Sequence, residues 1–370
     1  MLREIPVPTL SNKTAYDSSS SRLLGASPVL EEAAFARCLY LERRRAERNG
    51  RRMLLILMDG TAFAEGAGRA AVFHLISERL PETLRDTDVL GWHKNESILG
   101  LLLPNLELAD EALIRTLVGK ITALLQDALG PALAARMQLT AHVFPSCGKV
   151  NRGCPDLVLY PEVPRQARSR PLPLLVKRTL DIVFSLLGIA FSLPLWGLAA
   201  LAVKWSSRGP VLFRQERMGQ YGKPFRLLKF RSMYTDCDAQ AHEEYMRAFI
   251  AGTPPAGATK VRKMTDDPRV TPVGRILRRT SLDELPQLWN VLRGEMSLVG
   301  PRPPLLYEFQ HYAPWHQRRV LEVKPGVTGL WQVQGRSRAS FDEMVRMDLR
   351  YARRCTLWLD LKILVRPWAW

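Results

Sequence analysis

The stretch Ile182–Val203, IVFSLLGIAFSLPLWGLAALAV, holds 22 residues without a charge. At about 1.5 Å per residue a helix of that length reaches about 33 Å, enough to cross the hydrocarbon core of a bilayer. Two features oppose a simple crossing. Pro194 sits mid-run, where it deletes a backbone hydrogen bond and bends a helix, and Ser192 is placed to satisfy a carbonyl so freed. Lys177 and Arg178 precede the run and Lys204 and Arg208 follow it, so the positive-inside rule puts both ends in the cytoplasm. A membrane helix over about 178–205 that enters and leaves one leaflet satisfies both observations, while a kinked crossing helix fits the same residues. A buried helix of a soluble protein fits poorly, since Trp196, Trp205 and the flanking cations suit an interface.

Charge is concentrated around and after this run. Residues 170–370 carry 32 Lys and Arg against 17 Asp and Glu, so +15 of the net +17 lies there. That balance predicts an anionic partner: nucleic acid, an anionic membrane surface or phosphorylated small molecules. Few aromatics interleave with the basic residues and no helix-turn-helix or zinc pattern appears, so nucleic acid is not expected. The five cysteines form no CxxC pair and no zinc spacing, which predicts free thiols in a reducing compartment. The first residues lack the apolar core and cleavage site of a signal peptide. None of the six histidines sits in a ligand or base pattern.

Upstream, residues 1–28 are rich in Ser, Pro and Thr and read as a loose leader. Within 29–145, periodicity predicts helices over 30–47, 62–80 and 109–129. It predicts strands over 52–58, 88–93, 98–103 and 137–144. The order β-α-β-β-α-β is that of a ferredoxin-like α/β sandwich. With Asp59-Gly60 closing the first strand and Asp88-Val-Leu-Gly-Trp entering the hairpin, this domain resembles a degenerate GGDEF nucleotide-cyclase domain. Its hairpin tip, Lys94-Asn95-Glu96-Ser97, lacks that family's glycine-rich acidic turn, so a scaffolding, dimerising or sensing role is expected, not cyclase activity. The prolines of 146–174 mark a linker, and 175–370 forms the second domain. The fold class expected is α+β, the second domain being a re-entrant helix hairpin followed by a mainly helical catalytic part with a small sheet.

Four blocks follow the apolar run. Gly209–Phe225 contains Arg214, Arg217, Gly219 and Gly222, and leads to Leu228-Lys229-Phe230-Arg231-Ser232-Met233. Next comes Arg275-Ile-Leu-Arg278-Arg-Thr-Ser-Leu-Asp283-Glu284-Leu-Pro286-Gln287-Leu-Trp-Asn290, continuing to Gly300-Pro301-Arg302-Pro303. Last is Lys324-Pro-Gly326-Val-Thr328-Gly329-Leu-Trp-Gln332-Val-Gln-Gly335-Arg336. Two adjacent carboxylates inside a basic field suit phosphate chemistry, because an ionised Asp can attack phosphorus or bind a metal while cations neutralise the phosphate oxygens. A surface salt-bridge cluster would have the same composition. Gly300–Pro303 is a rigid turn that admits a cis proline. Phe341–Tyr351 and Thr356–Val365 are amphipathic, and with Trp358, Trp368 and Trp370 they suit the headgroup region.

In this order, after a basic-flanked apolar segment, the blocks resemble the bacterial sugar transferase family, the monotopic phosphoglycosyl transferases that prime surface-glycan assembly. The resemblance covers about 175–370. It implies transfer of a sugar 1-phosphate from a UDP-sugar to undecaprenyl phosphate, through a covalent aspartyl-phosphosugar, with release of UMP and a requirement for Mg²⁺. Asp283 matches the nucleophile and Glu284 the second member of the family's dyad; the two are the candidates for the metal site, with Glu284 open between metal ligand and proton acceptor. Arg278, Arg302 and Arg336 match phosphate binders. Lys229 and Arg231 are further candidates for phosphate or nucleotide, though a solvated cationic face explains them equally. The resemblance also implies a bacterial inner-membrane location with catalysis on the cytoplasmic face and contact with membrane lipid; the sequence leaves the oligomeric state open, a homo-oligomer included. The rival reading is a basic, membrane-tethered binding protein without catalysis.

Overall fold

The computed structural model describes residues 29–107, 110–145, 156–163, 171–235, 240–253, 269–335 and 339–365. The 1–28 leader, most of the 146–174 linker, Arg336, Trp368 and Trp370 lie outside the described residues. The chain divides into two compact units, Met1–Pro145 and Ser146–Trp370, each a mixture of helix and sheet.

In the first unit helix α1 (Glu32–Asn49) precedes strand β1 (Arg52–Asp59), helix α2 (Ala67–Arg79), the hairpin β2 (Val89–Lys94) and β3 (Ile98–Leu106), helix α3 (Glu111–Leu129) and β4 (Gln138–Phe144). The sheet order is β2-β3-β1-β4, all antiparallel. As a central strand β1 is covered on both faces, which explains its unbroken apolar run Met53–Met58, MLLILM. Leu54, Ile56 and Met58 join Phe73, Ile76, Ile121 and Leu125 of α2 and α3 in one core. Alternation turns Gly91 and Gly100 to the other face, against Phe35 of α1, where a Cβ on either would come 2.6 Å from the ring. Helix α2 starts five residues later than periodicity predicts. Its expected first residues form a turn instead, in which Asp59 Oδ1 accepts from the Thr61 amide at 2.8 Å.

In the second unit helix α4 (Pro171–Ser206) leads, followed by the hairpin β5 (Leu212–Met218) and β6 (Pro224–Phe230) and by helix α5 (Gln240–Ile250). Then come α6 (Pro272–Thr280), α7 (Gln287–Arg293), β7 (Ser297–Val299), α8 (Leu306–Gln310), β8 (Gly326–Thr328), α9 (Leu330–Gln334), α10 (Phe341–Arg353) and α11 (Leu357–Val365). Strands β7 and β8 pair in parallel, and β5 and β6 antiparallel.

Helix α4 is inside out. Its buried positions are Asp181, Ser185, Ser192, Ala199 and Val203, spaced as one helical stripe. Meanwhile Phe184, Leu187, Phe191, Leu193, Leu198 and Leu201 face outward, and only 11% of its most apolar window is buried. A soluble helix places these types the other way round, so the outward face is built for lipid. Among the described residues it is the one helix long and apolar enough to cross a membrane.

Both ends of α4 are tied to the rest of its unit. At the start, Lys177 Nζ meets Asp360 Oδ2 at 2.6 Å. Arg178 donates to the Val291 and Leu292 carbonyls at 2.6 and 2.8 Å, closing the C-terminus of α7. Asp181 Oδ1 accepts from Ser297 Oγ and the Leu298 amide at 3.1 and 3.0 Å. At the far end Trp196, Ala199 and Val203 pack with Phe230 and Leu277. There the Arg231 guanidinium donates to the Ser207 carbonyl and hydroxyl at 2.7 and 2.9 Å.

The helix continues through Pro194 without interruption. Ser192 Oγ donates to the Gly188 carbonyl at 2.6 Å, with Ile189 O at 3.4 Å. That corrects the expected role: the carbonyl that loses its amide partner to Pro194 belongs to Ala190. The Ser192 bond is instead the back-bond one turn earlier, which bends helices.

Candidate functional site

The carboxylate turn is cut from a helix that stops early. Thr271 caps α6, its hydroxyl accepting from the Gly274 amide at 2.9 Å, with Pro272 in the first turn. The helix ends at Ser281, which takes a left-handed conformation with φ +57°. A serine there costs on the order of 1 kcal/mol, a strain of the kind stored at working sites. A single 3-10 turn, Leu282–Glu284, follows and feeds α7. Asp283 is buried within it, while Glu284 Oε1 pairs with Lys229 Nζ of β6 at 3.0 Å.

Beside this turn opens a cleft lined by Arg217, Lys229, Glu284, Gln287, Arg302 and Gln332, with Gly326 and Val327 also in its lining. Arg217 is nearly fully buried. Its Nη1 donates to the Pro303 carbonyl at 2.9 Å and its Nη2 to Gln215 Oε1 at 2.8 Å. Burial first, and the neighbouring Arg302 charge second, push its pKa down to about 10, so it stays cationic at neutral pH. Two guanidinium groups that repel across an open cleft are what an anion between them would relieve.

The two glycine-proline motifs form one structure. The Gly300 amide donates to the Thr328 carbonyl and the Gly326 amide to the Pro301 carbonyl, each at 2.8 Å. A Cβ at Gly326 would overlap the Gly300 nitrogen, so the two backbones touch only because neither residue has a side chain. Both proline bonds of the Gly300–Pro303 turn are trans; among the described residues the cis bond is Phe144–Pro145. Asn290, fully buried, locks α7 to β6. Its amide donates to the Arg226 carbonyl and Glu295 Oε2 at 2.8 and 2.7 Å and accepts from the Leu228 amide at 3.0 Å.

Of the residues singled out from sequence, Lys229, Glu284 and Arg302 meet at the cleft, with Asp283 next to Glu284 in the turn but not on the wall. Arg278 stays half-buried on the last turn of α6, away from the wall. Arg231 is buried and capping α4, so its guanidinium serves the membrane helix. Arg217, quoted within its block but given no role, proves central. The signal for it was the spacing of Gln215 and Arg217 on one strand face, just before Gly219.

Among the described residues no group of three or more acidic, histidine or cysteine side chains could cage a metal. Mg²⁺ commonly takes one or two carboxylates and completes its shell with water and substrate phosphate. Adjacent carboxylates at Asp283 and Glu284 beside a cationic cleft fit that shared type of site.

An inside-out apolar helix in one unit with a cationic cleft defines the class: a membrane-associated protein with a basic site. The chain belongs to the bacterial sugar transferase family, which residues 172–369 match. It is 40% identical over 196 residues to the galactosyl transferase CpsE of Streptococcus agalactiae. It is 42% identical over 193 residues to the undecaprenyl-phosphate galactose phosphotransferase of Salmonella typhimurium. Each match uses 52% of this chain and spans 41% and 39% of those relatives, about two fifths of their length. The exopolysaccharide production protein ExoY of Sinorhizobium fredii is 39% identical over 199 residues, which is 53% of this chain and 85% of that protein. A solved DGC protein from Thermotoga maritima overlaps 32% of the chain and 85% of its own, at TM-score 0.27 and 14% identity, too slight a likeness to carry an argument.

Proposed function

We propose that the chain transfers a sugar 1-phosphate from a UDP-sugar to undecaprenyl phosphate, releasing UMP and priming assembly of an exopolysaccharide, capsule or O-antigen type of glycan. The observation that carries this reading is the Lys229–Glu284 pair at 3.0 Å, in a cleft shared with Arg217 and Arg302 and adjoining Asp283. The Asp283 carboxylate attacks the phosphorus that bears the sugar, an Asp–O–P bond forms, and the bond to the leaving UMP oxygen breaks. A phosphate oxygen of the polyprenol then attacks the same phosphorus, forming the diphosphate and freeing Asp283. Arg217, Arg302 and Lys229 neutralise diphosphate oxygens that would otherwise repel the carboxylate. Mg²⁺ held by Asp283 and Glu284 would add charge neutralisation at the same oxygens. Arg278 and Arg336 stand as further phosphate binders. Relatives named for undecaprenyl-phosphate sugar phosphotransfer support the choice of acceptor.

The helix α4 enters and leaves one leaflet in this reading, at the cytoplasmic face of the inner membrane. Its support is that both ends bond to the same polar unit. The first unit is read as a ferredoxin-like, GGDEF-related sandwich with a scaffolding, dimerising or sensing role, supported by its strand order.

The test is UMP release by the purified chain with Mg²⁺, undecaprenyl phosphate and a panel of UDP-sugars, alongside Asp283→Asn. Release with one sugar, abolished in the variant, is the expected result. Release that survives Asp283→Asn would remove Asp283 as nucleophile, and silence across the panel would favour a binding protein.

A further inference from the structure

A second cationic site lies at the foot of α4. Arg178 of α4 and Lys324, just before β8, both reach Gly294, the residue that ends α7. A Cβ built on Gly294 would lie 3.3 Å from Arg178 Nη2 and 3.6 Å from Lys324 Nζ, so the two cations are at most about 7 Å apart, the sum of those distances. Gly294 has φ +81°, a conformation that favours glycine, and its missing side chain leaves the space between them open.

The charge there is not balanced. Asp181 is engaged by Ser297 and Leu298, Asp360 by Lys177 and Tyr351, and Glu295 by Asn290. No hydrogen bond or ion pair to Lys324 Nζ is found among the described residues. Burial, then the charge of Arg178, holds the Lys324 ammonium below its usual pKa, with Asp181 the opposing group. A helix C-terminus attracts cations by itself, but Arg178 already donates to those carbonyls. The site also lies against the lipid-facing side of α4, whose exposed apolar residues begin at Leu172 and include Leu175 and Leu180 on either side of Arg178.

We infer that Arg178 and Lys324 form a subsite for a phosphate anion at the membrane surface, occupied by the phosphodiester of an anionic lipid headgroup. The inference needs α4 in the membrane and does not need the proposed chemistry, so lipid binding and UMP release fail separately.

The test is native mass spectrometry of the full chain in detergent, titrated with phosphatidylglycerol, phosphatidylcholine or inorganic phosphate. The wild type should retain phosphatidylglycerol over phosphatidylcholine. Lys324→Gln should cut that preference about fivefold, the weight of one lysine at an anionic surface. Lys324→Arg should keep it, as should Arg293→Gln at an exposed neighbour. Should the Gln variant lose its melting transition, Lys324→Met, which keeps the apolar stem, takes its place. Equal preference in wild type and Lys324→Gln overturns the subsite, and an equal loss in Arg293→Gln reduces it to diffuse charge. Lys324-dependent binding of inorganic phosphate without a lipid preference would keep the anion site and overturn the lipid as its occupant.

Discussion

The Arg319–Asp348 pair offers a sharp test of how the cleft is held. Arg319 Nη2 and Asp348 Oδ2 lie 2.6 Å apart, with 2% and 1% of their side chains exposed. The same Nη2 donates to the Arg302 carbonyl at 3.2 Å, so the pair supports the turn that presents Arg302. Asp348→Asn leaves a guanidinium buried without its counter-charge, a change that costs about 3–5 kcal/mol. For a unit of this size about 2–4 °C is lost per kcal/mol, so the apparent Tm in detergent at pH 7.5 should fall by about 6–20 °C. Arg319→Met with Asp348→Leu removes both charges and should recover most of that loss. A single variant as stable as wild type, or a double variant no better than the single, would refute the reasoning.

Three further outcomes can be checked. Gly326→Ala forces a methyl into the Gly300 backbone and should lower Tm while abolishing UMP release, the overpacking cost being about 1–3 kcal/mol or more; normal melting would show that β7 and β8 can separate. Arg217→Met leaves the Pro303 carbonyl without its donor, and kcat/KM for the UDP-sugar should fall tenfold or more, roughly 1.4 kcal/mol, with Lys intermediate; unchanged kinetics would remove Arg217 from the cleft's work. Cysteines placed at Val176 and Ser206 should both label from the cytoplasmic side, and labelling of either from the periplasm would exclude one-sided insertion of α4.

What could be read from the sequence differs by distance along the chain. The apolar run and the strand pattern of 52–144 are local signals, and both were legible. Asp181 was not, because its meaning lies in Ser297, 116 residues away. Arg231 was read as a candidate for anions, since nothing local shows that α4 ends within its reach. Pro194 correctly marked the middle of α4, yet the Ser192 bond went to the wrong carbonyl because two helix-bending devices overlap within one turn.

The clamp on α4 has a consequence for the order of synthesis. Lys177 leaves the ribosome 122 residues before Val299, the carbonyl it meets at 3.3 Å. At about 5–20 residues per second that is an interval of roughly 6–25 s. Throughout it the nascent helix has its charged foot exposed and its final partners unmade. A chain halted before Val291 contains the whole hydrophobic segment and none of the groups that grip its start, so its fate at the membrane is decided by length and flanking charge alone.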